Sequence, residues 1–577
     1  MAKIKANDAL VKELYKWHID HVYGIPGDSI DSVVDALKKA ENDITFYHVR
    51  HEEVATLAAS SYAKLTGKIA VALSIGGPGA IHLLNGMYDA KLDNVPMLVL
   101  AGQVDSDKIG TKFFQEVDLP TLFEDVAVYN KQIDSAENVY EMVNEAIKTA
   151  YAEKGVAVLT IPSDMLDKKI EEKDTGENET VEEQRQEMVA SDLNEAASLI
   201  NQSKKPVALV GAGAKGAQED LIRFLEHAKV PAVITLPAKG VVPDTHPNYM
   251  GNLGKIGTKP AFEAMQDADL LIMIGSNYPY ENYLPKENIP CIQVDIDASN
   301  IGKRFNATVG IIADAADALS DLTGVTEGVS DRPFLNACKE NMRTWNAWMQ
   351  EDKEDMSKPI RPEKLMAEIE KISEPDTVFS IDVGTSTVWA TRYLELNHNQ
   401  DFLISSWLGT MGCGLPGSIA SKIAEPERQA ICITGDGGFS MVMQDFVTAV
   451  KYDLPIIVVI LNNEELSFIK YEQQSSGELE YGIDLEDIDY AAFAEACHGI
   501  GYTVTEPEEL APTLEKAKDA NKPVIINVLV DPEAAPLPGK IVWDEAKGYA
   551  KFEMRSVLEE NKLKKMPPLK TVMRRFF

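Results

Sequence analysis

The chain has 577 residues, 45% of them hydrophobic and 25% charged, a balance that predicts three or four domains with ordinary buried cores. A formal net charge of −35 excludes a nucleic-acid binder, which needs a basic face to neutralise phosphates. No apolar run reaches the length of a membrane span, the start MAKIKANDAL has no apolar signal core, and the five cysteines lack any CxxC spacing, so a cytoplasmic protein with reduced thiols is expected.

Residues 1–166 alternate helical patterns with the apolar runs 69–75, 95–102 and 156–162, each predicted as a buried parallel strand. The charged stretch 167–189 predicts a linker. A second α/β unit, 190–331, has strand-like runs beginning at Pro206, Val230, Asp269 and Pro290. Residues 332–360, charged and carrying tryptophans, predict another linker. The third unit, 361–535, has runs at 377–384, 429–438, 454–463 and 522–531, and a tail follows over 536–577. Strands alternating with helices three times over predict the α/β class, with three doubly wound parallel-sheet domains. The first and third units echo one another: a glycine turn, a helix, an aspartate-x-proline step and a strand recur in 74–102 and 434–463.

Gly435-Asp436-Gly437 directly follows the apolar run AICIT. Ligands bind at that end of a parallel strand. Its glycines admit phosphate oxygens to backbone N–H groups, and Asp436 offers a hard oxygen to Mg²⁺. The next strand ends at Asn462-Asn463, on the same side, so Asp436 and Asn463 are placed to share one cation. In the second unit Gly211, Gly213 and Gly216 form a GxGxxG turn after a strand, but the following strand ends without an acid. NAD is therefore disfavoured, another dinucleotide stays open, and so does a plain packing turn.

The GDG and Asn-Asn pairing resembles the signature of thiamine-diphosphate-dependent enzymes, and implies Asp436, Asn463 and the Glu465 carbonyl as Mg²⁺ ligands. Arg50-His51-Glu52 resembles the segment whose glutamate activates the cofactor; Glu52 takes that role, and neighbouring Glu53 is separated from it only by family register. His51 and His82 are either polar groups of the site or structural histidines. Gly409 and Met411 match the region that supports the aminopyrimidine, with Gly27 in the matching segment Tyr23–Gly27.

Across nearly its whole length the chain resembles the pyruvate oxidase branch, whose middle domain holds FAD. The matching pieces carry Lys239, Gly251, Asn252, Gly275, Asn277 and Asp295, which with Gly211 and Gly213 are implied to line the flavin cofactor. Phe114, Gln115, Phe468 and Glu472 match residues beside the reacting carbon. The resemblance implies oxidative decarboxylation of pyruvate to CO2 and acetyl phosphate, or acetate, with phosphate or water taking the acetyl group. Electrons pass to FAD and then to O2 or a quinone. It also implies a homo-oligomer, at least a dimer because the cofactor's two ends come from different subunits, with a dimer of dimers expected and a plain dimer left open. An acetolactate synthase-type carboligase is the alternative. A simple decarboxylase is disfavoured, since no His-His pair occurs, and a regulatory protein is disfavoured by the complete motifs. The basic stretch 561–577, which ends in apolar residues, suggests either peripheral contact with the inner face of the membrane, as in a pyruvate:quinone oxidoreductase, or docking on the protein's own acidic surface.

Overall fold

The computed structural model describes residues 2–176, 188–285, 289–541, 543–560 and 569–576. Three six-stranded parallel sheets organise them, one in each expected unit. Helices cover both faces of each sheet, so the inner strands read as continuous apolar runs. Met97–Gln103, Val156–Pro162 and Ile456–Asn462 are buried at every position.

Counted by order of appearance, the N-terminal sheet runs 2-1-3-4-6-5, and the C-terminal sheet repeats that order. The echo between 74–102 and 434–463 is thus one local piece of a repeated topology. The middle sheet differs, running 3-2-1-4-5-6. Its connections reverse direction between Pro206–Val210 and Leu270–Ile274, which opens a crevice at their carboxyl ends.

The outer units share a hydrophobic core in which Val54, Ala58 and Met87 join Leu415, Ile419 and Phe446. Small residues let the helices approach closely. A Cβ on Gly86 would collide with Thr56 and Leu57 on helix Glu52–Thr66, and one on Gly417 would strike Ser380. Polar bonds pin the same boundary. Lys64 pairs with Asp89 and Asp93, both at 2.6 Å, and donates to the Ile404 carbonyl at 3.1 Å. Asp445 accepts from the Arg50 N–H at 2.8 Å, which fixes the backbone two residues before Glu52.

The stretch 167–189 begins with a short strand, Lys169–Glu171, paired antiparallel with Lys3–Lys5; residues 177–187 lie outside the described residues. Residues 332–360 hold a 21-residue helix, Pro333–Lys353. Leu335, Cys338, Trp345 and Met349 form its buried stripe, and the charges that suggested a linker occupy the other faces. In the tail, helix Trp543–Glu560 lies against helix Ser467–Ser476, where a Cβ on Gly548 would strike the Ser475 carbonyl. Helix Leu569–Phe576 docks on its own chain. Arg575 lies 5.2 Å from the Trp345 ring centroid and donates to the Leu537 carbonyl at 3.2 Å, while Arg574 pairs with Glu351. Residues 561–568, with Lys562, Lys564 and Lys565, lie outside the described residues. Among the described residues no helix is long and apolar enough to cross a membrane.

Candidate active site

Strands Ala430–Gly435 and Ile456–Asn462 are parallel neighbours, with Gly435 beside Leu461. That register brings Asp436 level with Asn462, one residue before Asn463. Asp436 opens helix Asp436–Val442; one carboxylate oxygen accepts from Gly437 N–H at 3.0 Å, the other from Glu464 N–H at 2.8 Å. Glu464 reaches this bond from a left-handed conformation, φ +57°. Asp436 is 4% exposed, and burial pushes its pKa up to about 6 against the pull of those N–H bonds. The Asn463 amide nitrogen donates to Ser467 at 2.6 Å, which orients its oxygen. The Glu465 side chain is engaged by Lys470 at 2.8 Å, so a backbone carbonyl is what this residue has to offer a metal. A desolvated carboxylate, an amide oxygen and a carbonyl are hard donors suited to Mg²⁺.

Sequence reasoning missed Asp382. Fully buried at the end of strand Val378–Ile381, it accepts from Gly412 N–H at 2.8 Å, Val383 N–H at 2.8 Å and the Thr434 hydroxyl at 3.0 Å. It thus ties the 409–412 turn to the strand that ends in Asp436. A Cβ on Gly438 would lie 2.9 Å from its carboxyl group. The signal available was an aspartate ending an apolar run, in Ile381-Asp382-Val383-Gly384. Met411, within that turn, reaches toward the Gly435–Gly437 segment, 3.4 Å from where a Cβ on Gly437 would sit.

On the N-terminal unit, Glu52 begins helix Glu52–Thr66, and His51 caps it by accepting from Glu53 N–H at 3.3 Å. Glu52 is 8% exposed and bonds His82 Nδ1 at 2.9 Å. Its other oxygen lies 3.1 Å from where a Cβ on Gly79 would sit. Glu53 points elsewhere, to Asn85, which in turn bonds Thr410 at 2.9 Å. The rings of His51 and His82 stack at 4.5 Å, so both histidines stand beside Glu52. Gln115 has φ +62°, and its carbonyl lies 2.7 Å from a Cβ position on Gly77, next to the helix that bears His82. Adjacent Phe114 is 77% exposed. Gly27 packs against Ile75 in the neighbouring loop.

In the middle unit the predicted glycines meet at the crevice. A Cβ on Gly211 would strike the Gly275 carbonyl, and one on Gly213 would come within 2.8 Å of the Gly275 Cα. Asn252 is 1% exposed, donates to the Thr235 carbonyl at 3.2 Å, and leaves its amide oxygen without a partner. Gly251, at φ +93°, packs on Thr258. Asn277 accepts from Arg304 at 3.2 Å, and Asp295 ends strand Cys291–Asp295, accepting from Asp297 N–H at 2.9 Å. Lys239 stands apart: it is 4% exposed and its ammonium group is committed to Asp244, an ion pair inside the 239–244 turn. Phe468 and Glu472, on helix Ser467–Ser476, meet the middle unit through Lys255, whose Nζ lies 5.4 Å from the Phe468 ring centroid and 3.5 Å from Glu472.

A buried acid at the strand ends of one unit and a hard-oxygen donor set at those of another fit a thiamine pyrophosphate enzyme. Family comparisons give the same class. Residues 4–122 match the N-terminal TPP-binding domain of thiamine pyrophosphate enzymes, 193–322 their central domain and 382–528 their C-terminal TPP-binding domain. The chain is 50% identical over 577 residues to the Bacillus subtilis protein YdaP, covering all of both chains; that protein's assignment as thiamine pyrophosphate-containing is itself provisional. It is 35% identical over 581 residues to a pyruvate oxidase of Lactiplantibacillus plantarum, covering 99% of this chain and 96% of that one. It is 30% identical over 559 residues to an acetolactate synthase large subunit of Corynebacterium glutamicum, covering 92% and 87%. The chain belongs to the thiamine pyrophosphate-dependent enzymes of the pyruvate oxidase and acetolactate synthase family.

Proposed function

We propose that this enzyme is a pyruvate oxidase that takes thiamine diphosphate, Mg²⁺ and FAD, oxidatively decarboxylates pyruvate, and passes the electrons to O2 or a quinone. The observation that carries this reading is the contact of Lys255, from the middle unit, with Phe468 and Glu472 of the thiamine-side unit. It joins a 3-2-1-4-5-6 sheet of the dinucleotide-binding order to the helix that bears Phe468 and Glu472, the residues proposed to stand beside the reacting carbon. Bound here, thiamine diphosphate supplies an electron sink for losing CO2, and FAD a two-electron acceptor.

Asp436, Asn463 and the Glu465 carbonyl would hold the Mg²⁺, which would supply positive charge for the diphosphate. Glu52, kept in place by His82, would hold the aminopyrimidine end and is the group placed to hold or release a proton there. The Gly211–Gly213 and Gly275 turns pack backbone against backbone at the crevice where the flavin nucleotide's phosphates would sit, and Asn252 has an unpartnered amide oxygen to offer. Phe114, with 77% of its surface exposed in the single chain, suits burial by a second copy, which supports a homo-oligomer, with a dimer of dimers as its proposed form.

A carboligase of the acetolactate synthase kind is the second reading, favoured by relatives such as the Corynebacterium glutamicum large subunit. Anaerobic titration of the cofactor-loaded enzyme with pyruvate separates the two. Bleaching of the yellow flavin establishes the oxidase; pyruvate consumption with the colour unchanged refutes it. Readmitting O2 or a quinone then identifies the acceptor by which one restores the colour.

A further inference from the structure

Lys255 sits in the turn between strand Tyr249–Asn252 and helix Lys259–Asp267, and its position against Phe468 depends on what holds that turn. The grip comes from Arg392, on helix Thr385–Tyr393 of the C-terminal unit. Its Nε donates to the carbonyls of Ile256 at 3.0 Å and Gly257 at 3.1 Å, and Nη2 to that of Lys255 at 3.1 Å. Nη1 donates to the Leu537 carbonyl at 2.6 Å, the same carbonyl that Arg575 reaches from the tail. Arg392 is 8% exposed, and every one of these acceptors is a neutral carbonyl. Burial, reinforced by nearby Arg575, lowers its pKa to about 9. A cation buried against neutral groups is costly, and an apolar side chain of similar volume would avoid that cost. What only a guanidinium provides is a planar fork that binds several carbonyls in fixed directions.

We infer that Arg392 is a positioning residue: it ties three consecutive carbonyls of the middle-unit turn to the C-terminal unit, and so holds Lys255 against Phe468 and Glu472 and sets the separation across which electrons pass to the flavin. The electron-transfer clause rests on the oxidative reading above; the clamp itself does not.

The test uses the full-length enzyme and the variants Arg392→Lys and Arg392→Met. A lysine keeps the charge but, with a compact ammonium group, cannot serve all four carbonyls. Three quantities are read: the burst of CO2 from pyruvate, the rate of anaerobic flavin bleaching in the same mixture, and amide hydrogen exchange across 253–258 in the cofactor-free chain. That exchange reports opening of the turn because Gly257 N–H bonds the Gly254 carbonyl and Thr258 N–H bonds that of Asn252. The expected result is a CO2 burst within about twofold of wild type, bleaching slowed about tenfold or more, and exchange at 257–258 accelerated by a similar factor. Exchange unchanged at these amides overturns the clamp. CO2 burst and bleaching falling together, with a lowered melting temperature, shows a merely structural role. If Arg392→Met does not fold, Arg392→Lys decides alone. If the wild-type flavin never bleaches, the oxidative reading fails and the exchange rates judge the clamp separately.

Discussion

Replacing Asp445 by asparagine makes the enzyme more stable at neutral pH, against the usual direction for a fully buried, hydrogen-bonded residue. Asp445 is 0% exposed, accepts from Arg50 N–H and the Thr448 hydroxyl, both at 2.8 Å, and has its pKa pushed by burial from 3.8 up to about 6. A carboxylate with a raised folded-state pKa contributes its full stability below the unfolded pKa and loses it as pH rises through the folded one. Between about pH 4 and pH 6 the folded chain therefore holds a proton that the unfolded chain has released. Above that window the charged form carries a penalty of roughly 3 kcal/mol, about two units at 1.36 kcal/mol each. Asparagine keeps an oxygen for the Arg50 N–H and removes the charge, while its new NH2 group gives back ~1–2 kcal/mol unless it finds an acceptor. The net gain is ~1–2 kcal/mol at pH 7.5, shrinking to nothing or reversing near pH 4. Urea unfolding of both proteins at several pH values, following the first transition of this multidomain chain, measures it. A variant less stable than wild type at pH 7.5, by an amount that does not change with pH, refutes the reasoning. Asp445→Ala is the control: it removes the same charge but strands the Arg50 N–H at about 1–3 kcal/mol, so at pH 7.5 it falls below Asp445→Asn, and near pH 4, where no charge is removed, it shows the full loss.

Asp436→Asn abolishes the rise in melting temperature that Mg²⁺ with thiamine diphosphate gives the wild type, a stabilisation of about 2.7 kcal/mol at a hundredfold excess over Kd. A thermal scan with and without the pair shows it. Glu52→Gln lowers pyruvate turnover by about 10²–10⁴, the range for removing a general acid–base group, and leaves that thermal shift in place; steady-state CO2 release measures the loss. Gly211→Ala drives a methyl group into the Gly275 carbonyl, so the purified variant is paler than wild type, seen as a lower ratio of flavin to protein absorbance, and still binds thiamine diphosphate.

The inner strands were legible because they are buried on both faces and read as unbroken apolar runs. The strands not foreseen include Ala127–Gln132, Tyr249–Asn252, Val309–Ile312 and Ile500–Val504, each at the edge of its sheet. An edge strand has only one neighbour and tolerates polar residues such as Asn130 and Lys131, which erases the signal. Pro333–Lys353 hid for a related reason: its apolar stripe is one position in three or four, diluted by the charges of a mostly solvated helix. In the site, Asp436 and Asn463 were readable because neighbouring parallel strands end together. The part played by Asp382 was not, since its partners Gly412 and Thr434 are 30 and 52 residues away in sequence. Lys239 shows the converse: a residue inside a matching segment, turned inward to Asp244 by packing that the segment does not encode.

The repeated 2-1-3-4-6-5 order gives the chain two sheets of one design with different equipment at their strand ends, Glu52 at one and Asp436 at the other. An elongated ligand that spans an acid crevice and a cation crevice is held as a chelate: once one end is seated, the other meets its site at a high effective concentration. Neither half then has to bind tightly alone, and each is free to diverge in what it grips. Duplication of a single architecture is thereby a route from two weak, dissimilar half-sites to one strong composite site.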